Sequence, residues 1–198
     1  MGHLKTGNGG ELSYLNSWDN KARAFEEISS MLRAAEDPKI AWQQILEITK
    51  QSDIAVLSAT QPLLDIRSVT AELRTIFTQN PLPSDLSFCY FGLVDLWNEQ
   101  EKQEKAGFYV AGGKPPADWN VHACGKIFYF PKNRWLSSTI PNDIKKAEQQ
   151  RPERREFLGH AVMFGGARVI AKFAMAALDM TLPVYVGFDS GDFELVSG

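Results

Sequence analysis

Asp118, His122 and Cys124 fall within the run Asp118-Trp119-Asn120-Val121-His122-Ala123-Cys124 and come nearest to a catalytic set in this chain. In an extended strand alternate side chains share a face, so His122 and Cys124 would project together, with Asp118 able to join them. An imidazole beside a thiol favours the thiolate, and a thiolate at neutral pH is a nucleophile. The surroundings speak against that use. Both residues sit in an apolar strand pattern, and catalytic cysteine and histidine ordinarily meet from distant parts of a chain. Structural packing is the expectation, and no catalytic residue is assigned beyond Cys124, His122 and Asp118 as weak candidates.

Other chemical groupings meet similar alternatives. Cys89, Cys124, His122 and His160 are the residues available for zinc, without a close pair of the C-x-x-C or H-x-x-x-H kind, so no metal site is expected. Asp189-Ser190-Gly191-Asp192 brings two carboxylates to one tip, where they could hold a cation or act as an acid/base pair. The same letters are those of a tight turn with Gly191 in the left-handed conformation. With Glu194 nearby, Asp189 and Asp192 form an acidic tip suited to a basic partner surface. Gly112-Gly113-Lys114 lacks phosphate-loop spacing, and Gly165-Gly166-Ala167-Arg168 lacks the full dinucleotide-binding pattern. Both read as breaks or close-packing sites, and no cofactor is expected.

Lys126 to Trp135 interleaves basic and aromatic residues, as single-stranded nucleic-acid binders do. The formal net charge of −3 opposes that reading, and a buried strand solubilised at its end by Lys132 and Arg134 accounts for the letters. Nucleic acid is therefore not the expected partner. Arg151, Arg154 and Arg155 with Lys145 and Lys146 are offset by Glu148, Glu153 and Glu156, the pattern of a solvated helix face.

The elements that would position these groups divide the chain in two. Of 22 aromatic residues, 17 follow Asp85. Before it, Asp19-Asn20 caps a predicted helix from Lys21 to Ala35 with Phe25, Ile28, Leu32 and Ala35 on one side. Asp37-Pro38 opens a second to Lys50, with Ile40, Ile45 and Ile48 inward. Val69, Leu73, Ile76 and Phe77 mark a third, closed by Asn80-Pro81-Leu82-Pro83.

Beyond that boundary the period changes. Leu86 to Trp97 is apolar on both faces, as in a central strand covered on two sides. Gly107 to Ala111 and Val121 to Phe130 are further strands, with Asn98 to Lys105 a polar hairpin loop. Pro131 to Asn142 reads as loop, and Asp143 to Glu156 as a charged stretch. A helical stripe then runs from Glu153 to Met180 through Val162, Gly166, Val169, Phe173 and Ala177, with Gly165-Gly166 a point of kinking or splitting. Val184 to Phe188 and Phe193 to Val196 form a terminal hairpin.

The expectation is one α+β domain over residues 1–198. It comprises a mobile leader at 1–17, a helical part at 18–80, and a sheet with a long buried C-terminal helix at 86–198, the sheet mainly antiparallel. A chain of this length buries enough surface to need neither disulfide nor metal. Cys89 and Cys124 lie in apolar runs, no secretory signal is expected because residues 1–10 lack an apolar core, and the apolar stretch Phe157 to Leu178 carries His160, Arg168 and Lys172, so a buried helix rather than a membrane span is expected. Met1-Gly2 with Thr6 meets only the minimal myristoylation pattern, and a Gly/Asn-rich leader is preferred.

The functional expectation is a non-enzymatic cytoplasmic domain that binds another protein. An immunity-type inhibitor of a bacterial toxin is one version, by analogy of size and absence of a catalytic kit. Trp119 and Trp135, in loops beside charges, are the recognition candidates, with Asp189, Asp192 and Glu194. The alternative is a small hydrolase using Cys124 and His122, or Asp189 and Asp192.

Overall fold

A change of hydrophobic period after the prolines at 81 and 83 becomes a change of architecture: helices before, a sheet and its covering helices after. The structure is a computed structural model that describes residues 18–98, 103–114, 127–188 and 193–197. Among the described residues four helices come first, α1 (Trp18–Ala34), α2 (Pro38–Ile48), α3 (Ala55–Ala59) and α4 (Pro62–Gln79). The strands β1 (Phe88–Asn98), β2 (Gln103–Gly113) and β3 (Ile127–Tyr129) follow, then α5 (Ile140–Gln150), α6 (Met163–Ala176), β4 (Val184–Phe188) and β5 (Phe193–Ser197).

The five strands form one sheet in the order β3-β2-β1-β4-β5. All pairings are antiparallel except β1 with β4, so the sheet is mainly antiparallel and the fold is α+β. The C-terminal hairpin thus joins β1 on the edge opposite β2. Asn98 pairs with Gln103, which carries β2 into part of the sequence expected to be loop.

One face of the sheet carries the main core. Cys89, Phe91 and Leu93 of β1, Phe108 and Val110 of β2, and Val184 and Val186 of β4 pack with Val169, Ile170 and Ala174 of α6 and with α1, α2 and α4. The other face holds a smaller cluster, Phe88, Tyr90, Tyr109 and Ala111, with Val94, Ile127 and Tyr185 against it. No described helix residue belongs to this second cluster. Over Phe88–Leu93 both faces of β1 are therefore apolar and buried, as the hydrophobic run requires.

Gly165 and Gly166 do not break α6. A side chain on Gly166 would come within 2.7 Å of Ile140 and 3.1 Å of Trp42, and one on Gly165 within 3.1 Å of Ile45. The pair is a contact surface against α2 and the start of α5. The irregularity lies earlier, where Leu158–Val162 forms a π-helical segment before α6 begins. The buried helical path is thus interrupted at a site the glycines did not mark.

Other expectations are corrected by the packing. Ile40 is 56% exposed; the inward side of α2 is Ala41, Trp42, Ile45 and Leu46. Ile40 occupies the first turn, where Asp37 accepts its backbone N–H at 2.9 Å, and the stripe drawn from isoleucines alone missed the tryptophan. The Trp42 indole donates to the Leu57 carbonyl at 3.1 Å, tying α2 to α3. Helix α4 starts at Pro62 rather than near Val69, and α5 starts at Ile140 within the predicted loop. Pro152 then opens a short 3-10 turn, Pro152–Arg154.

The start of α5 is held by another helix. Thr139 makes no side-chain cap, and Pro141 has no N–H to satisfy. The buried Asp65 of α4 takes the role: its Oδ2 accepts from Thr139 N at 2.7 Å, Ile140 N at 3.0 Å and Ser138 Oγ at 2.7 Å, while Oδ1 accepts from Thr139 Oγ1 at 3.0 Å. A carboxylate at this helix end also complements the positive end of the dipole.

Candidate recognition edge

After β3 the chain keeps to the edge of β2. Val110 N donates to Arg134 O at 3.0 Å, Leu136 N donates to Phe108 O at 2.8 Å, and Tyr109 and Trp135 form an antiparallel bridge. Between β3 and these contacts the chain turns at Lys132 and Asn133, the latter in the left-handed region at φ 57°. Asn80, at the end of α4, secures the turn. Its Oδ1 accepts from Lys132 N at 3.1 Å, and its carbonyl accepts from Tyr129 Oη at 2.6 Å.

Tyr129 faces the main core, where burial, with the nearby Cys89 thiol, pushes its phenol up to about 12. It remains a neutral donor to Asn80. Phe128 and Phe130 flank it and, by strand alternation, are not carried into that core with it. They are 45% and 53% exposed, and Trp135 is 45% exposed. Residues 121–126 lie outside the described residues; for the rest, the expectation of a buried strand is corrected: β3 lies at the sheet's edge among the described strands, and only Tyr129 of its aromatic run enters the core.

Each exposed ring meets a cation. The Arg134 guanidinium lies 5.6 Å from the Phe130 centroid and 5.7 Å from that of Trp135. Lys114 Nζ lies 5.6 Å from the Phe128 centroid and pairs with Asp85 at 2.6 Å. Among the described residues, no carboxylate forms an ion pair with Lys132 or Arg134. Trp135 stands on Tyr109 in an edge-on contact, centroids 5.5 Å apart at 69°. Tyr109 in turn lies across Gly92, whose missing side chain leaves the ring its place: a Cβ there would fall 2.1 Å from the ring. Gly92, Tyr109 and Trp135 thus form a stack from the sheet outward.

Glu194, expected at an acidic tip, turns inward: its Oε2 accepts from Ser29 Oγ at 2.6 Å and pairs with Arg168 Nη2 at 3.0 Å. Arg168 is buried, its Nη1 also donates to Ser29 at 2.9 Å, and burial lowers its pKa. Asp118, Trp119, His122, Cys124, Asp189 and Asp192 lie outside the described residues. Cys89 is buried and free, and burial pushes its thiol up to about 12, unsuited to nucleophilic work. His160 packs between Phe25 and Phe188, stacked on the latter at 5.1 Å. Among the described residues, no group of three His, Cys, Asp or Glu is placed to hold a metal.

An open cleft of about 770 Å³ lies between α2, α3 and the start of α4, lined by Trp42, Gln43, Ser58, Thr60 and Gln61. Its titratable members, Lys39 and Glu47, are exposed side chains on its rim. Among the described residues, no helix is long and apolar enough to cross a membrane. No protein-family model, curated protein or solved structure matches the chain.

Proposed function

We propose that this is a non-enzymatic binding protein that recognises another protein through the edge formed by Phe128, Phe130, Arg134 and Trp135. The observation that supports it is the exposure of three large rings within eight residues, on a turn fixed by Asn80 rather than left to move. Aromatic residues and arginine dominate the energetics of protein interfaces, and a held turn reduces the entropy lost on docking. An immunity-type inhibitor of a toxin is one form of such a protein. A reducing cytoplasm suits the free, buried Cys89.

The test compares capture by the wild-type chain with capture by the Phe130→Ser/Trp135→Ser variant, using extract of the source organism. A partner held by the wild type should be lost with the variant, and titration calorimetry with the purified partner should give at least a tenfold difference in Kd. Circular dichroism establishes that the variant is folded. Equal capture of every species by both chains would refute the reading.

A further inference from the structure

We propose that the partner presents an acidic, extended segment to this edge, with carboxylates meeting Arg134 and Lys132 and apolar side chains meeting Phe130 and Trp135. This rests on the recognition edge just described and specifies the chemistry of its occupant. The chain as a whole carries a formal net charge of −3, yet Lys114, Lys132 and Arg134 gather here, with Asp85 the one carboxylate paired among them in the described residues. Glu72, which accepts from Ser137 N at 2.8 Å, bounds the edge beyond Trp135, yet the three cations outnumber the two carboxylates there, and complementary charge selects an anion.

The placement of Arg134 sharpens the choice. Its guanidinium sits over Phe130 and Trp135 at 5.6 and 5.7 Å. Two rings limit the directions open to it, which lowers the cost of fixing the planar fork for a two-point bond to a carboxylate. Phe130 and Trp135 remain 53% and 45% exposed, so apolar neighbours of that carboxylate have surface to cover.

An extended shape follows from position. The sheet order leaves β3 without an outer strand neighbour among the described residues, and Arg134 and Trp135 follow it along the same side of β2. A peptide lying beside it meets them in succession. A single-stranded nucleic acid fits less well. A stacked base needs a whole ring face, and Lys114 and Arg134 take up part of the surface of Phe128, Phe130 and Trp135, whereas apolar side chains need only the exposed remainder. Three cations also give few phosphate contacts to offset the acidic remainder of the chain.

The experiment selects a displayed library of random twelve-residue peptides on the folded wild-type chain. It then measures the winning peptides by fluorescence anisotropy, alongside the labelled oligonucleotides dT20 and rU20. Selected peptides should be enriched in Asp and Glu interspersed with apolar residues. Replacing their acids by Asn or Gln should weaken binding at least tenfold. Arg134→Gln should weaken binding by roughly tenfold, and Arg134→Lys should fall between it and the wild type.

Selection of neutral or basic peptides that depend on Trp135 would overturn the acidic segment while leaving the recognition edge standing. Selection indifferent to Phe130→Ser/Trp135→Ser, or no selection at all, would count against both. Tighter binding of dT20 or rU20 than of any peptide, with a steep loss between 50 and 200 mM salt, would assign the edge to nucleic acid instead.

Discussion

Removing the Asp65 carboxylate tests whether α5 is held at its start by a neighbouring helix. In Asp65→Ala the N–H groups of Thr139 and Ile140 lose their acceptor. Ile140 is fully buried, so its N–H bears most of the desolvation penalty, about 2 kcal/mol, whereas Thr139 is exposed and finds water for much less. Loss of negative charge at the helix end adds roughly 1 kcal/mol. Relief from burying the carboxylate roughly cancels the smaller losses at Thr139 N–H and at the Ser138 and Thr139 hydroxyls, which leaves a net destabilisation of about 3 kcal/mol.

Asp65→Asn separates the two causes. Its amide oxygen can take the place of Oδ2 and keep both N–H bonds, while its nitrogen donates to the Thr139 hydroxyl, which reverses its role. Only the charge is lost, for roughly 1 kcal/mol. Urea unfolding reads both variants: with a slope of about 2 kcal/mol per molar, the midpoint should fall by roughly 1.5 M for Ala and 0.5 M for Asn. If Ala lies within 0.5 kcal/mol of wild type, Asp65 does not hold α5. Equal losses for both variants would mean that charge, not hydrogen bonding, is the cause.

Three more outcomes are expected. Gly92→Ala pushes the Tyr109 ring from its seat and should cost about 1 to 3 kcal/mol in thermal unfolding; adding Tyr109→Ala should make the glycine substitution nearly neutral, and full additivity would contradict the stack. Glu194→Ala leaves the Arg168 guanidinium buried without its carboxylate and should cost about 3 kcal/mol, the low end for such a pair because Glu194 is 38% exposed; adding Arg168→Met should recover most of it in the same unfolding assay. Cys89, with its thiol pushed from 9.0 to about 12, should react with iodoacetamide at pH 8 about a thousandfold more slowly than an ordinary thiol. Its rate should rise tenfold per pH unit while the fold persists, and peptide mapping that shows labelling at the ordinary rate would contradict its burial.

The class of fold was legible because periodicity reports faces. The two-sided apolar run of β1 required a central strand, and the described parts of all five expected strands lie in one sheet. Helix starts were legible only where the local chemistry was complete. Asp37-Pro38 marked α2 with both a cap oxygen and a proline, whereas Gln61-Pro62 at α4 and Thr139-Ile140-Pro141 at α5 had a proline without a local cap. The cap of α5 comes from Asp65, 75 residues before Ile140, which no local pattern can reveal.

For the recognition edge, Trp135 was visible as a ring beside charge. Phe128 and Phe130 were absorbed into a supposed core. The signal that could have placed them was the alternation itself, since three consecutive aromatics cannot all enter one face of a strand. Glu194 shows the opposite error: its sequence neighbours made it part of an acidic tip, while Ser29 and Arg168, which claim it, are remote in the chain.

The parallel pairing of β1 with β4 also orders events in time. β1 and β2 are neighbours in sequence and can join as soon as both have been made, but Cys89 to Leu93 must wait for Val184 to Phe188. During synthesis, nearly a hundred residues emerge while one edge of a strongly apolar strand stands open to other nascent chains. The late hairpin is therefore a closing step for the sheet, and substitutions that weaken its Arg168–Glu194 attachment should lower the yield of soluble protein more than they lower the stability of molecules already folded.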